Sequence, residues 1–190
     1  TDVGEAFDNS TNNGWYEAGS EATFWIDSLN YYITAGERSH FNGWQGSGGD
    51  EAYTGPDSSH TVTMNHPVTE RAVNWLSQFY LSIQSIPPQG GTTHPASPGK
   101  WYNAGTQETV YVNPAINYLF REWTGDVASE NDTLLVVMNQ PRDLTANFGS
   151  EVTVTVQTSY TDLDFSVEGE TYTTQHTFTW LAGETYDLYI

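Results

Sequence analysis

Hydrophobic residues recur at every second position over long stretches of the chain. Phe79, Leu81 and Ile83 fall on one face, as do Val152, Val154 and Val156, and then Leu163, Phe165 and Val167. The last run sets Tyr186, Leu188 and Ile190 on one face. A period of two is that of a half-buried strand. Thr fills many of the opposite positions, as in "EVTVTVQT", which suits a pleated, half-exposed surface. Helical periodicity is hard to find. The best stretch, "VTERAVNWLSQFY" from Val68 to Tyr80, is mixed and reads equally well as a strand, a break and another strand. "GWQGSGGDEAYTGPDSS" and "IPPQGGTTHPASPGK" are loops, rich in Gly, Pro and Ser. The pattern predicts an all-β fold.

The pattern is also repeated. One copy carries Trp15, Tyr16, Ala18 and Gly19, then Phe41, Trp44 and Gly46, then "TVTMNHP" at 61–67, then Ala72 and Trp75. A second carries Trp101, Tyr102, Ala104 and Gly105, then Phe120, Trp123 and Gly125, then "VVMNQP" at 136–141, then Ala146 and Phe148. A third begins with "FTWLAG" at 178–183. Trp15 and Trp101 are 86 residues apart, and Trp101 and Trp180 are 79 apart. The first copy is longer because its loops on either side of Trp44 are longer.

Each landmark has a physical role. The Gly of "WYxAG" can take positive φ in a tight turn while the aromatic pair covers the end of a core. In the strands that follow, Phe24 and Ile26 match Val110 and Val112. "FNGW" and "FREW" lead into acidic, Gly-containing loops. In "MNHP" and "MNQP" the Asn and Pro are expected to make the turn of a hairpin, since Pro cannot donate in a ladder. Core packing is the expected use of the Trp residues.

These landmarks, in the order "WYxAG", strand, "FxxWxG", acidic loop, "TVTMNxP", "TAxF", resemble the divergent internalin-type B-repeat family. The form they resemble most is found in large archaeal surface proteins and beside thermopsin-like proteases. The resemblance runs almost continuously from residue 14 to 190. It implies tandem small β-sandwich-like modules that are extracellular and non-catalytic, and it carries no catalytic residues to transfer. On this phasing, 1–78 is a repeat block whose opening hairpin is missing or reduced, 79–149 is a complete module, and 150–190 is an opening hairpin with the first strand of a further module. Incomplete modules leave unpaired edges. Two arrangements answer that: more modules of the same array on either side, or strand exchange between neighbouring modules or chains, head to tail.

Composition narrows the function. Lys and Arg number 5 against 24 Asp and Glu, for a net charge of -19. Such a chain repels phosphate backbones and anionic lipid, so neither nucleic acid nor direct membrane insertion is expected. No window approaches the ~18 apolar residues of a membrane span. With no basic-then-apolar leader either, the chain reads as a mature piece or a fragment of something longer. Cysteine is absent, which excludes disulfides and thiolate chemistry.

No catalytic constellation is legible, and the expectation is that the chain is not an enzyme. "QGSGG" lacks the first Gly of a nucleophile elbow. His40, His60, His66, His94 and His176 are scattered through loop-like segments. Among cofactors, calcium alone is suggested, because carboxylates suit that hard cation. Asp50, Glu51 and Asp57 share one loop, and Asp126, Glu130 and Asp132 share the corresponding loop of the second copy. Asn9 and Asn131 begin N-glycosylation sequons. The reading is a structural or assembly protein of a cell surface, archaeal by resemblance: a spacer, surface-layer or filament subunit. Its partners would be copies of itself or further modules, with glycans also possible. The alternatives are an adhesin module gripping carbohydrate or protein, and an accessory repeat segment of a secreted protease.

Overall fold

The computed structural model describes residues 16–160 and 163–190, and the backbone of 6–8. Trp15 and Asn9 lie outside the described residues. The fold is nearly all β, built from several small sheets. The strands, in chain order, are β1 (Ala6–Asp8), β2 (Glu21–Ile26), β3 (Asn30–Thr34), β4 (Glu37–His40), β5 (Gly43–Gly48), β6 (Thr54–Gly55), β7 (Ser59–Thr63), β8 (Val68–Val73) and β9 (Leu76–Ile86). They continue with β10 (Gly91–His94), β11 (Gly99–Asn103), β12 (Gln107–Pro114), β13 (Tyr118–Gly125), β14 (Thr133–Val137) and β15 (Arg142–Val156). The last are β16 (Phe165–Val167), β17 (Glu170–Tyr172), β18 (His176–Leu181) and β19 (Leu188–Tyr189). Among the described residues no helix is long and apolar enough to cross a membrane. Contacts divide the chain into two compact units. The first holds the described residues up to Leu81 with Trp101–Thr106 and Val137–Arg142; the second holds the remainder.

In the first unit β2 lies between β1 and β7, and β5 lies between β6 and β8. Alternation along β2 turns Ala22, Phe24 and Ile26 inward. They meet Phe41, Trp44 and Val62 in one core, with Tyr16, Tyr53, Met64, Val68, Ala72 and Trp75 at its margin. Phe24 meets Trp44 edge-on at 4.7 Å, so the two three-stranded sheets form a small sandwich on an aromatic contact. Strand β4 runs antiparallel to both β3 and the first residues of β9.

In the second unit β12 lies between β10 and β14, β13 pairs with β15, and β16 lies between β17 and β19. Val110, Val112, Trp123, Val136, Leu144, Ala146 and Phe148 are all buried there. Beyond Ser150, β15 continues antiparallel to β18, from Glu151 opposite Leu181 to Val156 opposite His176.

The repeat read from sequence recurs in the backbone bonds of the two copies. Gly19 N–H donates to Met64 O and Met64 N–H to Ser20 O; Gly105 N–H donates to Met138 O and Met138 N–H to Thr106 O. Trp44 stands opposite Ala72, and Trp123 opposite Ala146. Ser39 pairs with Ser77, and Tyr118 with Ser150. On its other side Trp44 pairs with Gly55, and Trp123 bridges to Ser129. Each repeat also holds the same ring triad. Phe41 lies 5.5 Å from Trp44 and 5.6 Å from Trp75. Phe120 lies 5.7 Å from Trp123 and 5.9 Å from Phe148. Phe24, Ile26, Val110 and Val112 are all buried, as their alignment requires.

Two expectations need correction. "MNHP" and "MNQP" are not hairpin turns. They carry the chain from β7 to β8 and from β14 to β15, and those strands belong to different sheets. Met64 and Met138 are clamped by the "AG" turn through the bonds above, so the backbone partners come from thirty or more residues away rather than from an adjacent strand. The third copy is also shifted by one. Ala104 N–H donates to Ser77 O and Ala182 N–H to Ser150 O, each at 2.8 Å, so Ala182 corresponds to Ala104. That places Trp180 at the position of Tyr102 rather than of Trp101, because one residue fewer separates it from the Ala-Gly pair.

Candidate functional site

The turn after β5 is shaped by Glu70. On β8, Val68, Glu70 and Ala72 share the half-buried face, and Thr69 and Arg71 point outward. Glu70 therefore sits where the second repeat has Leu144: each pairs with a glycine, Gly46 or Gly125, two residues before the alanine opposite Trp. Its Oε1 accepts the Tyr53 N–H at 2.7 Å, and its Oε2 is buried with no protein partner. Burial holds this carboxyl above the usual range, opposed by the Tyr53 N–H and by His60. The Tyr53 ring stacks on His60 at 3.7 Å, and its hydroxyl donates to Asp57 Oδ2 at 2.8 Å, which pushes the phenol up. The Trp44 indole N–H donates to Asp57 O, tying the loop to the core.

The sequence-predicted acids are distributed as follows. Asp50 is exposed. Glu51 lies 3.2 Å from His66 Nδ1. Hydrogen bonds from its own backbone and from Asn65 hold it below the usual range, helped by His66. Asp57 is engaged by Tyr53 as described. Asp126 Oδ2 accepts the Asp143 N–H at 2.8 Å, and Asp132 Oδ1 accepts from Thr133 Oγ1 at 2.9 Å. Glu130 lines an open depression of about 490 Å³ in the second unit with Arg121, Glu122, Glu168, Glu184 and Tyr186. There Arg121 donates to Glu184. Among the described residues no group of three or more His, Asp or Glu is placed to hold a metal ion. Asn131 is exposed, and its N–H donates to Ser129 Oγ.

The most extended chemical feature is an aromatic ladder on one face of β18. Ring centroids follow one another from Tyr172 to His176 at 4.5 Å, to Phe178 at 4.6 Å, to Trp180 at 5.0 Å and to Tyr186 at 4.4 Å. Phe178 on Trp180 and Trp180 on Tyr186 are stacked, at interplanar angles of 21° and 10°. Val152 and Val154 lie opposite Trp180 and Phe178. Neither Glu70 nor this ladder was identified from sequence as a feature. Both signals were present, since Val68-Glu70-Ala72 and His176-Phe178-Trp180 each fall on one face of a period-two strand.

Among family profiles, that of the divergent InlB B-repeat domain matches residues 81–152. The match covers less than half of the chain and runs from β9 to β15, across the repeat whose bonds the first copy duplicates. Comparison with curated proteins and with solved structures finds no match.

Proposed function

We propose that this chain is a stretch of an extracellular, tandem-repeat surface protein whose role is architectural rather than catalytic. The duplicated framework is the observation that carries this reading. Two copies keep the Met clamp, the Trp–Ala pair and the ring triad, while the loops between them differ in length and chemistry. Duplication that preserves packing and leaves polar groups free to vary is what a spacer requires. The similarity of residues 81–152 to a B-repeat supports the same placement at a cell surface.

The β15/β18 pair supports an arrayed arrangement. In β9 and β11, Leu81, Ile83 and Tyr102 are buried at 0, 1 and 8% exposure. At the corresponding positions Val154, Val156 and Trp180 are only half-buried, and Val152 beside them is 39% exposed. This face is the proposed seat for strands of a further repeat, supplied by the same array or by another copy. Electron microscopy of native material tests the reading. Stalks, fibres or sheets are expected. A compact particle that turns over a supplied polysaccharide or peptide would overturn it.

A further inference from the structure

We infer that β3 is a self-complementary edge through which two copies of this chain pair side by side, antiparallel. Strand β3 has no counterpart in the second repeat, where β12 passes to β13 through residues 115–117 alone. The repeat core does not bury it: Tyr31, Tyr32 and Ile33 are 44, 59 and 51% exposed. Large apolar groups therefore project from both of its faces, since successive residues of a strand alternate. It pairs with β4 on one side and ends its sheet there, which leaves a row of backbone donors and acceptors open among the described residues.

The occupant follows from charge and register. In a chain of net charge -19, residues 28–36, "SLNYYITAG", carry no charged side chain. Two acidic copies meet with least repulsion along such a window, whereas an acidic neighbouring surface gains nothing from it. An antiparallel pairing centred on Tyr32 places Tyr32 against Tyr32, Tyr31 against Ile33 and Asn30 against Thr34. Aromatic–aromatic and aromatic–β-branched pairs are the favourable cross-strand combinations. One flank is already held in place, because Tyr32 rests edge-on against Trp101 at 5.8 Å and the Arg38 guanidinium lies 4.3 Å from the same indole. A bulge between Tyr32 and Thr34 on the β4 side sets the strand's twist without removing its open side. Strand β14 also exposes an apolar residue at an edge, Leu135 at 64%, but its other face is committed to the core through Val136. This interface does not rest on the architectural reading, since it holds equally for a spacer and for an adhesin.

Sedimentation velocity of the full chain tests it. Dimer is expected to increase between 0.1 and 1 M NaCl, as the screening length falls from about 10 Å to about 3 Å. The Tyr31→Lys/Ile33→Lys variant should associate at least about ten-fold more weakly with an unchanged Tm, while Leu135→Lys should associate as the wild type does. Because the chain has no cysteine, Tyr32→Cys supplies a single thiol. Treated with diamide it should form a disulfide-linked dimer where Leu135→Cys does not. A wild type that stays monomeric at 1 M salt and millimolar concentration overturns the inference. So does a double variant that dimerises undiminished, or cross-linking that is equal at both cysteines.

Discussion

Ala146 lies directly opposite Trp123 across the β13/β15 ladder, and neither is exposed to solvent. Cross-strand Cβ atoms stand about 4.5–5.5 Å apart, so a methyl is what leaves the indole its space. Ala146→Val should therefore overpack the second unit and cost about 1–3 kcal/mol. Ala72 stands in the same relation to Trp44 but is only half-buried, and its valine variant should lose less than half as much. Urea unfolding followed by Trp fluorescence measures both. Equal losses would show that the pairing does not set the tolerance.

The two glycine landmarks of a repeat differ in what constrains them. Gly105 has φ +83 and nothing within 4 Å of an added Cβ, so Gly105→Ala carries backbone strain alone, about 1–2 kcal/mol. Gly125 has φ +103, and an added Cβ would lie 2.3 Å from Asp143 O, in a ladder that cannot yield without breaking. Gly125→Ala should destabilise by clearly more. Parallel thermal melts of the two variants check the order, and a milder Gly125 variant contradicts it.

The alternation in "SEATFWID" and "TQETVYVN" was enough to place Phe24, Ile26, Val110 and Val112 in cores, because a buried face imposes its period on the sequence. The same holds for Gly19, Gly105 and Gly183, whose φ values of +84, +83 and +86 match the turn expected of them. The path of the chain between sheets was not legible. "MNHP" has the composition of a hairpin turn, yet its backbone partners are Gly19 and Ser20, and no local pattern records a pairing at that distance. Glu70 was hidden for a different reason. A carboxylate on a core face looks like one more solvated acid among 24 until its counterpart, Leu144, is aligned by the ladder.

The aromatic ladder bears on the adhesin alternative. Trp180 is stacked with Tyr186 at 4.4 Å and 10° and with Phe178 at 5.0 Å and 21°. A sugar stacking on this indole would have to compete with the two rings already stacked on it. Oligosaccharides added to millimolar concentration are expected to leave Trp emission unchanged in the wild type and in Trp180→Phe alike. Saturable quenching that Trp180→Phe abolishes would favour the adhesin.

Glu70 gives the first unit a pH dependence opposite to that of most acids. Desolvation raises its carboxyl above the ordinary value of 4.5, so the folded chain holds this proton more tightly than the unfolded chain does. The contribution is complete below the ordinary carboxylate range and is lost as pH rises through the raised value. Glu51, held below the usual range, contributes in the other direction, its stabilisation fading only as pH falls. The comparison must therefore be between variants rather than along a single curve. Glu70→Gln removes the proton equilibrium, and Glu70→Leu also supplies the apolar group that the second repeat has as Leu144. Relative to the wild type, both variants should gain stability progressively from pH 4 to pH 8, with Glu70→Leu the more stable of the two throughout. Melting curves at unit pH intervals read this difference directly. A wild type that gains on both variants as pH rises would mean that the ionised carboxylate is the form the loop needs, with His60 and the Tyr53 N–H outweighing burial.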